Sequence, residues 1–222
     1  AMLNVYDDEL VVEEKGIYSI ENFLNARRLM YWQVYLHKTT VSAEAMLVNI
    51  VKRAQALLHA GENLPGSEGL KKFLKQTYTL EDLQQHEDLL HTFGTLDDHD
   101  VWGAIKCWRE ADDTMLALLS NMLLSRQLFQ IMLANDPVKK EAIDKLRTGI
   151  ASQYNTLRAE AKYLFAYGNV SNEAYAHAQQ INILTKKGEV IDIAQASDLP
   201  NIRVISKIVK KYYLCWPKNV SL

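Results

Sequence analysis

The sequence predicts an α+β protein that is predominantly helical. Two observations predict this class: apolar residues recur with helical spacing between residues 20 and 154, and short β-rich runs stand near the start and after residue 128. Pro and Gly are few, at 4 and 9 of 222 residues, so long disordered linkers are not expected. We expect one domain over residues 1–222, with a long central helix, short helices and small antiparallel strand pairs. Its parts are a hairpin at 3–13, a helical body at 19–126 and an α+β portion at 128–217.

A β-hairpin is predicted at the start of the chain. Its apolar positions stand on either side of Asp7-Asp8, which supplies the turn: Leu3, Val5, Leu10 and Val12. The first residues are neither a signal peptide nor a transit peptide and are typical of the inside of a strand. Because structure is expected to begin at once, this start is a first indication of a truncated N-terminus.

A long helix is predicted after the hairpin. Gly16 breaks the chain, Ser19 is the expected N-cap, and Glu21 in the first turn complements the helix dipole. The helix is expected to run from about residue 20 to residue 58, with a kink near Thr39-Thr40. Apolar residues occupy nearly every side of it, which is typical of a buried central helix: Phe23, Met30 and Val34 on one flank, and Leu29, Trp32 and Leu36 on the other.

Shorter elements follow the long helix. After a loop at residues 59–69, four helices are predicted: Leu70–Lys75, Leu80–His91, Val101–Ala111 and Thr114–Leu124. Asp136-Pro137 is expected to begin a further helix that runs to about Tyr154, with the Asp as its cap and the Pro at its first position. The β-rich runs are Leu128–Ala134, a hairpin of Ile181–Thr185 and Val190–Ala194, and a final strand that ends at Tyr212–Pro217.

The composition excludes several classes of protein. A net charge of −2 lacks the basic footprint of a nucleic-acid-binding domain. No apolar run approaches the roughly 18 residues of a transmembrane helix, so no membrane partner is expected. Two cysteines exclude a disulfide scaffold and favour a reducing cytoplasm. Cys107 is interpreted as a core residue of a helix, and Cys215 as a structural residue of the final strand.

A stripe of polar side chains on the long helix carries the functional prediction. Its members, spaced at i, i+4, i+8 and i+11, fall within an arc of roughly 80° and span about 16 Å: Arg27, Tyr31, Tyr35 and Lys38. Arg and Lys suit phosphate oxygens, and Tyr offers a ring and a hydroxyl to a sugar or base. The alternative is that the two Tyr are core aromatics and the two cations make structural ion pairs.

Four segments near the start of the chain carry a family resemblance: Tyr6-Asp7-Asp8-Glu9, Tyr18 to Phe23, Ala26-Arg27-Arg28-Leu29-Met30 and Tyr35-Leu36-His37-Lys38. They resemble HD-domain phosphohydrolases of the branch that contains the deoxynucleoside triphosphate triphosphohydrolases. In that branch a hairpin with a Tyr-Asp-Asp core leads into a helix with an Arg and a downstream Tyr-x-His-Lys. The late segments 181–184, 188–196 and 210–215 are similar to bacterial HD proteins of the same branch.

The resemblance implies a role for each matching residue. Arg27 would contact the substrate triphosphate, Tyr35 would face the sugar, and His37 and Lys38 would lie near the phosphates or a neighbouring subunit. Tyr31 belongs to the same substrate-binding set, although relatives often have a His there. The resemblance also implies a homo-oligomer and a nucleotide or other phosphorylated small molecule as partner.

The resemblance further implies a divalent metal in the full-length protein. In the family a His, a His-Asp pair and a distant Asp bind it, and these ligands precede the hairpin. This chain alone is therefore expected to lack the HD metal site and to hydrolyse nothing. Two other interpretations stay open: a non-catalytic nucleotide-binding regulatory or oligomerisation module, and a relative that never had the metal ligands.

Two further groups of charged residues have structural interpretations. His99-Asp100 follows Asp97-Asp98 directly before a helical run, so the acids are interpreted as caps and not as metal ligands. The tail from residue 203 to 218 carries five cations and no acid, and a solvated face is expected there, with an anionic effector or a partner subunit as the alternative: Arg203, Lys207, Lys210, Lys211 and Lys218.

Overall fold

The computed structural model of the chain describes residues 2–172, 180–199 and 209–221. The fold is α+β and mainly helical, which confirms the predicted class. The chain divides into two compact units, one made of Ala1–Val41, Leu133–Asp136 and Asn169–Tyr212, and the other of the remaining residues. The single domain over 1–222 stays a prediction.

The described residues form the following strands and helices. The strands are β1 (Leu3–Tyr6), β2 (Glu9–Glu13), β3 (Gln130–Ala134), β4 (Ala166–Asn172), β5 (Asn182–Leu184), β6 (Val190–Asp192) and β7 (Val209–Trp216). The helices are α1 (Ile17–Met30), α2 (Lys38–His59), α3 (Glu68–Lys75), α4 (Leu80–Gln85), α5 (Glu87–Gly94), α6 (Asp98–Trp108), α7 (Thr114–Leu124), α8 (Lys140–Gln153) and α9 (Ile193–Ala196). A π-helical turn, Tyr31–Tyr35, follows α1 directly.

The predicted N-terminal hairpin is confirmed. Asp7 and Asp8 both adopt left-handed backbone angles, with φ of 53° and 61°, and aspartate tolerates this conformation better than most residues. β1 and β2 pair antiparallel, with Leu3 opposite Val12. β2 also pairs parallel with β5, which gives a four-stranded sheet in the order β1-β2-β5-β6. A small core of Val12, Leu24, Ile183 and Ile193 lies in this unit.

The start of α1 differs from the prediction. A 3-10 turn, Glu14–Gly16, leads into the helix, which begins at Ile17, and Gly16 takes the N-cap position expected for Ser19. Gly16 is buried, and a Cβ there would lie 2.6 Å from a methyl of Val12. The turn therefore packs closely against β2 and leaves no room for a side chain at residue 16.

The prediction of one buried helix kinked near Thr39-Thr40 was wrong in two respects. The break comes earlier, at Leu36, directly after the π-helical turn. The first part of the helix is also largely exposed on its apolar side, with Phe23 54% and Leu29 56% accessible. Of the two parts, α2 is the buried one, because Met46, Ile50 and Ala54 are each 0% accessible.

The second unit has a large core around the later part of α2. Leu116 and Leu119 of α7 and Leu146 and Ile150 of α8 are fully buried members of that core. The amide of Asn49 donates to the carbonyls of Tyr163 at 2.9 Å and Phe165 at 3.0 Å. A buried amide with two acceptors is satisfied, so it orders the chain segment it contacts.

Four smaller predictions need correction. The predicted helix Leu80–His91 is two helices, because His86 is extended and ends α4. Helix α8 begins at Lys140, so Asp136-Pro137 lies in the preceding loop. The second arm of the late hairpin ends at Asp192 and continues as α9. Cys107 is exposed, because Ala104, Ile105 and Trp108 take the inward positions of α6.

The final strand is confirmed and forms the centre of a three-stranded sheet in the order β3-β7-β4. Cys215 of β7 is buried, and burial raises the pKa of its thiol to about 11. Arg203 and Lys207 of the basic tail lie outside the described residues. Among the described residues, no helix is both long and apolar enough to cross a membrane.

Candidate functional site

Three residues of the predicted stripe form a continuous side-chain cluster. The Nη2 of Arg27 donates to the Tyr31 hydroxyl at 3.2 Å, and the guanidinium carbon lies 5.1 Å from the centroid of the Tyr31 ring. The Tyr31 and Tyr35 rings follow at 5.2 Å between centroids, tilted by 57°. The structure therefore brings together one cation and two phenols, which we call the Arg27 cluster.

The π-helical turn sets the geometry of this cluster. The Leu36 N–H donates to the Tyr31 carbonyl at 2.7 Å, five residues back, in place of the usual bond to the fourth residue. A turn with an extra residue rotates later side chains away from the arc of a regular helix. Tyr35, the last residue of the π-helical turn, is 49% accessible and keeps its ring beside that of Tyr31.

His37 and Lys38 lie beyond the bend at Leu36. The Thr39 N–H donates to Nδ1 of His37 at 3.3 Å, and the His37 carbonyl accepts from Val41 at 3.0 Å. Lys38 is exposed in the first turn of α2. Because the bend separates them from α1, the regular-helix arc predicted for all four stripe residues describes Arg27, Tyr31 and Tyr35 better than Lys38.

A buried carboxylate lies on the inward side of α1. Glu21 is 3% accessible and accepts a short hydrogen bond from the hydroxyl of Ser197, whose own oxygen accepts from the Leu199 N–H at 3.1 Å. The prediction that Glu21 lies in the first turn and complements the helix dipole was wrong, because the helix begins at Ile17 and its first turn holds no acid. Glu21 instead joins α1 to the segment after α9.

A cleft of about 400 Å³ opens beside Glu21 in the same unit. Its charged lining is mixed in sign: Glu14, Lys15, Glu21, Lys186 and Asp198. The Glu14 carboxylate accepts from the Lys186 backbone N–H at 2.7 Å. The acids and bases nearly balance, so this cleft lacks the positive field that a polyphosphate needs.

Sequence reasoning missed an ion-pair network in the second unit. Arg53 donates from Nε and Nη2 to Asp113, at 3.0 and 2.5 Å, and from Nη2 to Glu160 at 3.0 Å. Burial alone would raise the pKa of Asp113, but Arg53 and the Leu116 N–H together hold it below the usual aspartate value. A cleft of about 500 Å³ includes both acids in its lining.

The Arg53 network had no local signal in the sequence. Arg53 stands 60 residues before Asp113 and 107 before Glu160. Only Asp113 could have been found, because it precedes the apolar run of α7 and caps that helix through the Leu116 N–H at 2.7 Å. The network ties three segments together and is interpreted as structural.

The capping interpretation of His99-Asp100 is confirmed. Asp97 accepts from the His99 N–H at 2.8 Å and the Asp100 N–H at 3.3 Å, while Asp100 accepts from the Asp97 N–H at 3.0 Å. These bonds form a capping box at the start of α6 and lower the pKa of Asp97. In the part of the chain that the structure describes, no group of three or more His, Cys, Asp or Glu side chains could hold a metal ion.

Comparison with known proteins adds a family context to this geometry. A family model described as "HD associated region" matches residues 1–63, which include the hairpin, α1 and the Arg27 cluster. A crystal structure of a phosphohydrolase from Bacteroides thetaiotaomicron VPI-5482 is similar over 98% of this chain, with 42% identity and a TM-score of 0.88. The chain covers 54% of that protein.

Two more distant relatives match over a similar share of this chain and of their own length. The uncharacterized protein YwfO of Bacillus subtilis is 24% identical over 96% of this chain and 48% of its own length. A hypothetical protein from Aquifex aeolicus shares the fold, with a TM-score of 0.54 at 20% identity over 98% of this chain and 46% of its own. The chain thus spans about half the length of these relatives. Residues 1–63 match an HD associated region, and nearly the whole chain is similar to part of a phosphohydrolase.

Proposed function

We propose that this chain is the C-terminal part of a metal-dependent HD phosphohydrolase that acts on nucleotides, in the manner of the deoxynucleoside triphosphate triphosphohydrolases. Its residues would bind the substrate's phosphates and sugar and contribute to a homo-oligomer. The observation that carries the proposal is the 42% identity to a phosphohydrolase over 98% of this chain. The Arg27 cluster lies inside the segment that matches an HD associated region.

The Arg27 cluster suits a nucleotide chemically. A guanidinium presents five N–H donors in a planar fork that matches phosphate oxygens, and the Tyr31 hydroxyl orients one edge of that fork. Tyr35 offers an exposed ring and hydroxyl next to it, which suits a sugar. His37 and Lys38, beyond the bend, would add donors and positive charge for the phosphates.

The divalent metal of the proposed reaction does not fit the residues of this chain that the structure describes. The described residues hold no cluster of potential ligands large enough for such an ion. In the proposal its ligands belong to the part of the polypeptide that matches the other half of the relatives. This chain's own residues bind and orient the substrate, and we expect the 222-residue chain alone to release no phosphate.

The test uses the polypeptide as its gene encodes it, which we call the gene-encoded polypeptide. Arg27→Ala should lower kcat/KM for a nucleoside triphosphate about 100-fold, because one charge-assisted donor set to the phosphates is lost. Arg28→Ala is the matched control, since it removes the neighbouring cation of the same helix. Phosphate release with a divalent metal is measured over a panel of nucleotides, together with the oligomeric mass by light scattering.

The outcomes separate the two candidate functions. A large loss with Arg27→Ala, little change with Arg28→Ala and an intact oligomer support the phosphohydrolase. Loss of assembly with unchanged turnover per assembled site supports the regulatory or oligomerisation module. Absence of turnover by the gene-encoded polypeptide on every phosphorylated substrate, or metal-dependent turnover by the 222-residue chain, would contradict the proposal.

A further inference from the structure

Helix α1 and its π-helical turn carry an exposed face without charge. Between residues 18 and 35, all of which the structure describes, every exposed residue is uncharged. Apart from Tyr35, which belongs to the Arg27 cluster, we call these residues the uncharged face: Tyr18, Ser19, Asn22, Phe23, Ala26, Leu29, Met30, Gln33 and Val34. Several are large and apolar, with Phe23 54%, Leu29 56% and Val34 54% accessible.

The polarity of this helix is inverted relative to an ordinary surface helix. Water-facing helix sides normally carry charged residues, and acids are almost never fully buried unless they are paired. In α1 the acid Glu21 is 3% accessible and bonded to Ser197, while the cations Arg27 and Arg28 are half-buried. Contiguous apolar surface of this kind marks an interaction site.

Exposed apolar side chains are concentrated in one part of the chain. Of 21 large apolar side chains exposed among the described residues, twelve lie between Met2 and Val48. All twelve fall within residues 1–63, the segment that matches the HD associated region. The exposed apolar side chains are therefore concentrated in the same part of the chain as the family match.

We propose that the uncharged face is the docking surface for the other half of the gene-encoded polypeptide. The identity of this occupant rests on the proposed function, in which that half carries the metal centre. Two observations favour it: the relatives are about twice as long as this chain, and the matching family is described by its association with HD. The face is uncharged, so its partner offers an apolar surface rather than a phosphate.

Docking at this face has a consequence for the Arg27 cluster. Arg27 stands one helical turn from Phe23 and from Met30, at i+4 and i−3. A body seated on the face therefore borders the guanidinium directly. The docking contact sets the distance between Arg27 and whatever reactive centre that body carries.

Thiol labelling tests the proposal without an activity assay. Ala26→Cys places a small thiol within the face, and Ser152→Cys places one at an exposed position of α8 as a matched control. Both are made with Cys107→Ser, which removes an exposed native thiol, while Cys215 is buried. Labelling by a maleimide is timed in the 222-residue chain and in the gene-encoded polypeptide, over a range of protein concentrations.

The expected result is a Cys at position 26 that reacts at least about 10-fold more slowly in the gene-encoded polypeptide, because a thiol in a docked contact reacts only when the contact opens. The control thiol should react equally in both. A further Phe23→Glu change should restore fast labelling, since it buries a charge in the contact.

Two other outcomes overturn the docking proposal, and a third refutes the proposed activity without affecting the docking. Equal labelling in both proteins overturns it. Protection that grows with concentration and also occurs in the 222-residue chain overturns it in favour of a second copy on the face. Protection in a polypeptide that releases no phosphate keeps the docking and refutes only the proposed activity.

Discussion

Helices α1 and α8 have the same length, 14 residues, and opposite surfaces. On α8 the inward positions are apolar, Ile143, Leu146 and Ile150, and the exposed ones are polar or charged: Lys140, Glu141, Lys145, Thr148, Ser152 and Gln153. On α1 a carboxylate, Glu21, is buried, and the exposed positions include Phe23 and Met30. One helix follows the ordinary rule for a water-facing element, and the other reverses it.

The difference shows which sides of each helix are covered by residues of this chain. Every side of α8 is accounted for by this chain: a buried apolar stripe on the core and a hydrated polar side. The buried side of α1 is equally accounted for, by Leu24 in a small core and by the bond between Glu21 and Ser197. Its other side has the composition of a surface that is covered by something beyond these residues.

The largest expected effect is on the inward side of α8. Leu146→Ala should lower the free energy of unfolding of the 222-residue chain by about 3 kcal/mol, because Leu146 is fully buried and truncation leaves a cavity. Lys140→Ala, an exposed residue of the same helix, should change it by less than about 0.5 kcal/mol. Urea unfolding followed by circular dichroism measures both, and equal effects would contradict the placement of α8.

The next effect concerns the ion pairs that hold the same unit together. Arg53→Met should lower the free energy of unfolding by about 2 kcal/mol, because Asp113 and Glu160 lose their shared cation. This value lies between the typical contributions of exposed and of fully buried ion pairs. Arg109→Met is the control, since Arg109 pairs only at an exposed position with its neighbour Glu110. Unfolding in urea at neutral pH gives the comparison, and a cost for Arg53 no larger than for Arg109 contradicts the structural role.

The same network predicts a pH dependence. The pKa of Asp113 in the folded protein lies below its ordinary value of 3.8. Its contribution to stability is therefore fully present above 3.8 and is lost as the pH falls through the lowered folded value. Asp113→Asn should unfold with a shallower dependence on pH in that acid range, as measured by urea midpoints, and an unchanged slope would contradict the assignment.

Local signals in the sequence were enough for much of the fold. Asp7-Asp8 marked the first hairpin, and Gly188, with a φ of 83°, stands in the turn of the second. Asp97 marked the cap of α6. Each of these features depends on residues within a few positions of one another, so turn and capping chemistry alone identifies them.

The remaining features depend on distant or absent neighbours. The parallel pairing of Val12 with Ile183 joins residues far apart in sequence, and no local pattern specifies it. Periodicity showed that α1 is apolar on several sides but not which side this chain covers. The site prediction shared this limit: the order Arg27, Tyr31, Tyr35 was readable, while the π-helical turn that displaces Lys38 from their arc was not.

A smaller effect is expected on the buried side of α1. Ser197→Ala should lower the free energy of unfolding by about 1.5 kcal/mol, since the buried Glu21 carboxylate would lose a hydroxyl donor. Ser19→Ala on α1 is the control and should lower the free energy of unfolding by less than about 0.5 kcal/mol, because Ser19 is exposed and is not the N-cap. Urea unfolding distinguishes them, and a cost of about 1 kcal/mol for Ser19→Ala would restore its predicted capping role.

The smallest expected effect is on the exposed side of α1. Phe23→Ser in the 222-residue chain should change the free energy of unfolding by less than about 0.5 kcal/mol, because the ring is 54% accessible and Phe and Ser have similar helix propensities. The binding of an apolar fluorescent dye should fall, since the change removes part of the uncharged face. Thr148→Ser on α8 is the control and should leave dye binding as it is. A Phe23→Ser loss of several kcal/mol in the chain by itself would mean that the ring is already packed, and α1 would then resemble α8 after all.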